Sequence, residues 1–313
     1  MPLVSVIIPA YNCSLYIRET IESILSQGIS DLEIIVVNDG SSDDTADIAR
    51  SFGASVTVID QANAGVCAAR NRGIQHASGE YIALVDHDDF WLANKLLNQL
   101  AVFEKNPQVD VVFTSFDWWH PNPTTGKFEM PAESPPNPAQ NGFDSRFPGW
   151  IYHQMLVDSY VLTSTALARA KVVRAANGFD ESLPFGEDWD FWLRISRTSQ
   201  FLKLKEKSTL YRQHPTQGSR VLRDVDYRVQ ILESAAKKWG LCSPDGQCMP
   251  EKQFKRQLAK YSAEYGLGHL RSGSKAGRET AIRSFTKALS LDPTYWRSMG
   301  YLAAARLGWR PNW

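Results

Sequence analysis

Alternation is the feature of this chain that most restricts its fold. Between residues 3 and 85, short apolar runs at 3–8, 33–37, 55–59 and 81–85 take turns with helix-spaced segments at 15–27, 45–52 and 65–77. LVSVII (3–8) is apolar almost without a break, which suits a strand covered on both faces. The segment 15–27 instead puts Ile17, Ile21, Ile24 and Leu25 at the three- and four-residue steps of one helix face. Strands alternating with helices build a parallel, doubly wound sheet. The fixed hand of such crossovers leaves few topologies to consider. One more helix is expected over 92–104.

Three of these strands run into polar clusters: Tyr11 with Asn12, Asn38 with Asp39, and Asp86, His87, Asp88 and Asp89. In a parallel sheet all three lie along one edge, the place where open α/β sheets bind ligands. The stretch GEYIALVDHDDFW (79–91) is the centre of this reading. Its three carboxylates repel one another unless a cation or a set of donors sits among them. Hard divalent ions are held by one or two carboxylates plus the oxygens of a substrate's phosphates. The run therefore points to a metal-assisted nucleotide-phosphate site. Helix capping is the plain alternative, and it accounts for one aspartate of the three.

With 313 residues the chain can form one large α/β domain and a smaller appendage. Zero net charge and 43% hydrophobic residues indicate a globular protein. No basic excess is present to neutralise a nucleic-acid backbone, so no nucleic-acid partner is expected. The sequence shows no signal-peptide pattern and no apolar run long enough for a membrane span. Cys13, Cys67, Cys242 and Cys248 do not make a disulfide framework, which fits a reducing compartment, and a cytoplasmic protein is expected. Cys242 and Cys248 alone do not supply the four ligands of a zinc site.

Residues 121–148 carry seven prolines and little periodicity, the marks of an irregular surface excursion. Trp118, Trp119, His120 and Trp150 flank it, either packed beneath it or offered to an acceptor sugar. A strand entering a helix is expected over 160–176. GEDWDFWLRIS (186–196) opens a helix with Glu187 and Asp188, a common dipole complement. Residues 202–205 and 208–212 suggest two edge strands, and the segment YRQH ends at His214. A helix is expected over 225–239. Residues 258–293 resemble a single tetratricopeptide hairpin, which cannot bury its own core and is expected to dock on the α/β domain. The last helix, 295–309, interleaves Trp296, Met299, Leu302, Leu307 and Trp309 with Arg297, Arg306 and Arg310. That pattern fits either a packed terminal helix or a peripheral membrane contact.

Taken in order, SVIIPAYN (5–12), EIIVVNDGSSDDT (33–45), NAGVCAARNRG (63–73), DHDD (86–89) and GEDWDFWLR (186–194) resemble the family 2 glycosyltransferases. Five pieces in sequence, covering roughly 3–215, make the resemblance specific. It implies an α/β fold of the GT-A type, doubly wound with a mostly parallel sheet. A nucleotide-sugar-binding half (1–115) would join an acceptor-binding half (116–222), followed by a C-terminal helical extension (223–313). It also implies that Pro9, Ala10, Tyr11, Asn12 and Asn63 border the nucleotide and that Asp39 bonds the base. Arg70 would lie near the nucleotide and Asp86 would approach the ribose; His87 stands where many members carry a smaller residue, and either contacts the diphosphate or only fills space. Asp88, with Asp86 and His214 as further donors, would hold Mn²⁺ or Mg²⁺. Asp188 would be the catalytic base and Glu187 its acidic neighbour.

The chemistry implied is inverting transfer from a nucleotide sugar, a UDP-sugar, to a glycan or lipid-linked acceptor in cell-surface polysaccharide synthesis. One carboxylate takes the acceptor's proton, and a metal neutralises charge on the departing diphosphate. Two acidic clusters on separate segments are what that reaction needs. A sugar nucleotidyltransferase would carry a glycine-rich basic loop after the first strand, and PAYNCS is not one. A non-catalytic scaffold would have no chemical need for Asp39, Asp86, Asp88 and Asp188 together.

Overall fold

β1 (Val4–Ala10) is buried at all seven residues, as an apolar strand in the middle of a sheet must be. α1 (Ile17–Leu25) follows and sinks Ile17, Ile21 and Ile24 into the same core. β2 (Leu32–Asn38), α2 (Thr45–Arg50), β3 (Thr57–Asp60), α3 (Val66–His76) and β4 (Tyr81–Leu84) come next, in the predicted order. β2 and β4 run parallel to β1 on its two sides, and β3 runs parallel to β2. After them stand β5 (Phe90–Trp91), α4 (Lys95–Lys105), β6 (Val109–Trp119), β7 (Phe143–Gly149) and α5 (Tyr152–Met155). β8 (Leu167–Arg169), α6 (Ala170–Ala175), α7 (Glu187–Ser196) and β9 (Gln200–Arg212) complete the sheet region.

This computed structural model describes residues 2–130, 142–215, 217–218 and 221–308. It divides into two units, Met1–Ile151 with Tyr160–Gln217, and Tyr152–Ser159 with Gly218–Trp313. The first unit holds one sheet in the order β3-β2-β1-β4-β8-β6-β9-β5, with β7 also paired to β9. Its first four strands are parallel. β8 then runs antiparallel to both β4 and β6, while β6 and β9 run parallel. The mixed α/β class expected from the sequence is present.

Two local expectations are corrected. Residues 200–212 form one thirteen-residue strand rather than two edge strands, and it lies between β6 and β5. Lys203, Lys205, Glu206 and Lys207 interrupt its apolar spacing, yet the ladder continues through register shifts around Ser115. Such bulges absorb an extra residue without ending a strand. Lys207 pairs with Asp117 at 2.6 Å, and Glu206 accepts from Asn98 at 3.0 Å. β6 and β7 are strands the sequence reading leaves out, and β7 occupies the end of the supposed irregular excursion. Its Pro148 is tolerated because, among the described residues, β7 pairs on one side only. Trp119 is buried beneath the excursion's first arm, where its indole donates to the Glu129 carbonyl at 2.8 Å, whereas Trp118 is 59% exposed. Pro131, Pro135, Pro136 and Pro138 lie outside the described residues.

In the second unit α5 is joined by α8 (Tyr227–Trp239), α9 (Glu251–Ser272), α10 (Lys275–Leu291) and α11 (Trp296–Leu307). α9 and α10, joined by a short turn, pack against each other. Gly266 is needed there, since a Cβ would lie 2.9 Å from the Phe285 ring. Ala259, Ala263, Leu270, Ala281, Phe285 and Ala288 make its core, which Ala305 of α11 helps to close. Cys242 and Cys248 are joined by a disulfide. That bridge removes the cysteine argument for a reducing compartment. Cys13 and Cys67 are free, and burial pushes both thiols up to about 12. Among the described residues no helix is long and apolar enough to cross a membrane.

Candidate active site

The carboxyl ends of β1, β2 and β4 lie side by side because the three strands are parallel. Beyond β1, Tyr11 is 47% exposed and Asn12 takes a left-handed backbone, φ 46°. The Asn12 amide oxygen accepts from Ser42 N at 2.8 Å, which ties the β1 end to the turn after β2. Within that turn Asp39 is buried. Its carboxylate accepts from Gln61 Nε2 and Ala64 N, both at 2.8 Å, and from Gly65 N at 2.9 Å. Asp39 thus fixes the loop that opens α3, where Asn63 stands exposed.

α3 carries Arg70, which is 4% exposed. Nη2 donates to Asp86 Oδ1 at 2.7 Å and Nη1 to Glu187 Oε1 at 2.8 Å. Its guanidinium also lies 5.0 Å from the centre of the Phe179 ring, which stacks on Phe191 of α7. Burial opposes the Arg70 charge, but Asp86 and Glu187 outweigh it and hold the group protonated well above its ordinary range. Next along the helix, Asn71 donates to the Phe179 carbonyl at 3.0 Å and accepts from Phe179 N at 2.7 Å. Gly178 makes this contact possible, since a Cβ there would lie 2.4 Å from Asn71 Oδ1. Two consecutive residues of α3 therefore seat the start of α7. Asp188 lies in the same place, with Oδ1 accepting from Trp189 N at 2.7 Å. Burial, reinforced by the Glu187 charge, pushes its carboxyl up to about 7 against the pull of Arg70.

The turn after β4 is held from beneath. The Thr20 hydroxyl lies 2.9 Å from the His87 carbonyl and 2.8 Å from that of Asp89. His87 Nδ1 is 3.1 Å from the Pro9 carbonyl, and Asp86 N donates to Ser164 Oγ at 3.1 Å. Asp88 Oδ2 stands 2.8 Å from His214 Nε2. Burial disfavours the Asp88 anion, yet the His214 bond and the nearby His87 leave its carboxyl below the ordinary value. Asp89 is fully buried and, with the Asp88 and Asp86 charges beside it, pushed well above its usual range.

These pieces make an edge with a basic clamp, a carboxylate–imidazole pair and a second acidic pair. The family model for Glycosyl transferase family 2 matches residues 5–148. EpsJ, an uncharacterized glycosyltransferase of Bacillus subtilis, is 30% identical over 281 residues, or 85% of this chain and 72% of that protein. This chain belongs to glycosyltransferase family 2. An uncharacterized glycosyltransferase of Rickettsia typhi is 35% identical over 200 residues, and there the chain spans only 60% of the relative's length. Chondroitin synthase of Escherichia coli is 32% identical over 206 residues, 66% of this chain and 27% of that protein. Among solved structures, TarS 1–349 of S. aureus in complex with UDP-GlcNAc has a TM-score of 0.65 at 19% identity, covering 98% of this chain and 88% of that one. A mannosyltransferase of Pyrobaculum calidifontis, PcManGT, in complex with GDP-Man and Mn²⁺, has a TM-score of 0.56 at 20% identity, covering 98% and 86%. These likenesses show the GT-A fold, and the family assignment displaces the nucleotidyltransferase alternative.

Within this family 2 glycosyltransferase, Asp88 and His214 can hold a divalent ion. Their 2.8 Å contact is a direct hydrogen bond, which a bound ion would replace. A carboxylate with an imidazole also suits Mn²⁺ chemically. Among the described residues no group of three His, Cys, Asp or Glu side chains is placed around a metal position. The other ligands would be phosphate oxygens and water, as is usual for such ions. Asp86, expected as a further donor, is engaged by Arg70 at 2.7 Å.

Three further residues support the site of this glycosyltransferase. Gln61 bonds Asp39, Ser164 receives Asp86 N, and Arg212 closes β9 beneath the acidic turn. Only Arg212 had a visible signal, its place two residues before His214. Pro9 and Ala10 are buried strand residues, so what they can offer a ligand is mainly backbone.

Proposed function

We propose that this glycosyltransferase moves a sugar from a UDP-sugar to a hydroxyl of a glycan or lipid-linked acceptor, with inversion, in polysaccharide synthesis. One observation carries the reading: Arg70 binds Asp86 from the β4 edge and Glu187 from α7. The Asp188 carboxyl feels the charges of both Arg70 and Asp86. Support for the donor comes from TarS, solved with UDP-GlcNAc, and from PcManGT, solved with GDP-Man and Mn²⁺. Support for a polysaccharide product comes from the chondroitin synthase relative.

Asp88 and His214 would hold Mn²⁺ or Mg²⁺, which supplies charge neutralisation to a departing diphosphate. Tyr11 and Asn12 border the nucleotide at the end of β1, and Asp39 shapes the pocket for the base through the 61–65 loop. Asp188 accepts the acceptor hydroxyl's proton on its carboxylate. A base poised near neutral pH is well matched to that task. Glu187, held by Arg70, keeps the start of α7 in place.

On α11, Trp296 (71% exposed), Met299 (52%) and Leu307 (85%) fall on one stripe, with Arg297 and Arg306 on either side. Such a face supports a peripheral contact with an anionic membrane surface. Trp309 and Arg310 lie outside the described residues.

The reading is tested by thermal stabilisation with a series of nucleotides with and without Mn²⁺. A ligand that binds the folded state raises apparent stability by mass action. UDP with Mn²⁺ should raise the midpoint more than UDP alone, and more than GDP with Mn²⁺. Equal stabilisation by UDP with and without Mn²⁺ would defeat the metal part, and preference for GDP would defeat the donor part.

A further inference from the structure

Arg212 is 1% exposed, and its guanidinium is enclosed by three rings. The guanidinium carbon lies 4.2 Å from the ring centre of Trp119, 4.5 Å from Phe128 and 4.8 Å from Tyr16. A buried cation is costly unless its donors meet acceptors. Here Nε donates to the Asp88 backbone carbonyl at 2.8 Å, and Nη2 donates to Glu19 at 2.6 Å. The Arg212 backbone N reaches Asp89 Oδ1 at 3.3 Å. Tyr16, one of the three enclosing rings, lies 4.9 Å centre to centre from the His214 ring. Gln217 donates to the Arg212 carbonyl while its own oxygen accepts from His214 N at 3.3 Å.

Each half of the Asp88–His214 pair is therefore braced by the same side chain or its immediate contacts. The guanidinium grips the backbone of Asp88, and the Tyr16 ring on its face backs the imidazole. Lysine does not replace this arrangement. A planar guanidinium can serve two acceptors along its edge while rings cover its faces, whereas an ammonium is a point charge. Phe128 brings the first arm of the proline-rich excursion onto the same group, so that arm packs on the brace of the donor pair.

We propose that Arg212 is the positioning residue of the metal-donor pair, fixing the Asp88 backbone and, through Tyr16, the His214 ring. The inference rests on the reading of that pair as metal ligands. Groups that orient metal ligands from behind usually set affinity, and their loss weakens it by roughly 10–100-fold.

The test is Mn²⁺ affinity in the presence of saturating UDP, read from the free-ion electron paramagnetic resonance signal of the full chain. Arg212→Lys should lower Mn²⁺ affinity by roughly 10–100-fold while metal-free UDP affinity stays at the wild-type value. Glu19→Gln removes the half-exposed ion pair and keeps the Asp88 contact, so its Mn²⁺ affinity should stay within about threefold of wild type. Thermal midpoints of both variants are taken alongside. Wild-type Mn²⁺ affinity in Arg212→Lys overturns the proposal. Equal losses in both variants, in step with lowered midpoints, also overturn it and leave Arg212 as packing. A wild-type chain that binds UDP but no Mn²⁺ removes the metal reading first, and this proposal with it.

Discussion

Glu187 accepts a 2.8 Å hydrogen bond from Arg70, a residue 117 positions earlier in the chain. The other arm of the same guanidinium holds Asp86. One buried cation thus stands between two carboxylates that would repel each other without it. The acids of the β4 edge and those of α7, widely separated in sequence, share a single site for this reason. Asn71 reinforces the link by fixing the turn before α7.

Asp39 has more internal partners than a base-binding residue alone requires. Three donors of the 61–65 loop converge on it. Asp39→Ala removes the acceptor of these three part-buried bonds, each worth roughly 0.5–1.5 kcal/mol. UDP affinity should fall by at least tenfold while its enhancement by Mn²⁺ persists, both measured by calorimetry. Unchanged UDP affinity would reduce Asp39 to a turn residue.

The β1, β2 and β4 runs were legible in the sequence because buried parallel strands are apolar throughout, and their polar ends marked the binding edge. The partners of those ends were not legible. Arg70 looks like any helix arginine until the fold brings Glu187 to it. β9 hid behind Lys203, Lys205 and Lys207, whose stems and ion pairs the strand accommodates. The Cys242–Cys248 bridge closes a short loop, and spacing alone does not separate such a loop from two free thiols. Arg212 is marked in the sequence only by its place two residues before His214; its three enclosing rings and two acidic partners come from distant segments.

Metal dependence should reside in the carboxylate–imidazole pair. Asp88→Ala is expected to abolish the Mn²⁺ enhancement of UDP binding and leave a folded protein, checked by calorimetry and circular dichroism. His214→Ala should weaken the enhancement without abolishing it, because the carboxylate carries the charge. A full Mn²⁺ enhancement in Asp88→Ala would move the metal elsewhere.

The exposed stripe of α11 gives a separate expectation. Full-length protein should float with anionic vesicles at low salt and lose that association as salt rises, since each basic residue near the surface is worth only about 1 kcal/mol. Replacing Trp296 and Leu307 together by serine should release it, while UDP binding is retained. Ala304 and Ala305 on the packed side are untouched by that change. No flotation of the wild type at low salt would leave α11 as an ordinary packed helix.

Asp188 makes the most specific prediction, because one group ties rate and stability to pH. Its carboxyl titrates at about 7 in the folded protein against an ordinary 3.8, chiefly through burial and the Glu187 charge. Only the ionised form can take a proton from an acceptor hydroxyl. Transfer should therefore rise about tenfold per pH unit below neutrality and level off above it. Stability moves the other way. The folded chain keeps a proton that the unfolded chain has released, so this group's contribution is fully present below the lower value and is lost as pH rises through the higher one. Asn is nearly the same shape and carries no charge. Asp188→Asn should cut transfer by on the order of 10²–10⁴-fold with UDP affinity unchanged. The same variant should raise the thermal midpoint at about pH 8 and change it little at about pH 4. Glu187→Gln should lower the rate less, since Glu187 acts through Arg70 and the helix start. A variant Asp188→Asn that kept its rate would place the base elsewhere. One that lost rate but melted like the wild type at every pH would separate the catalytic role from the buried charge.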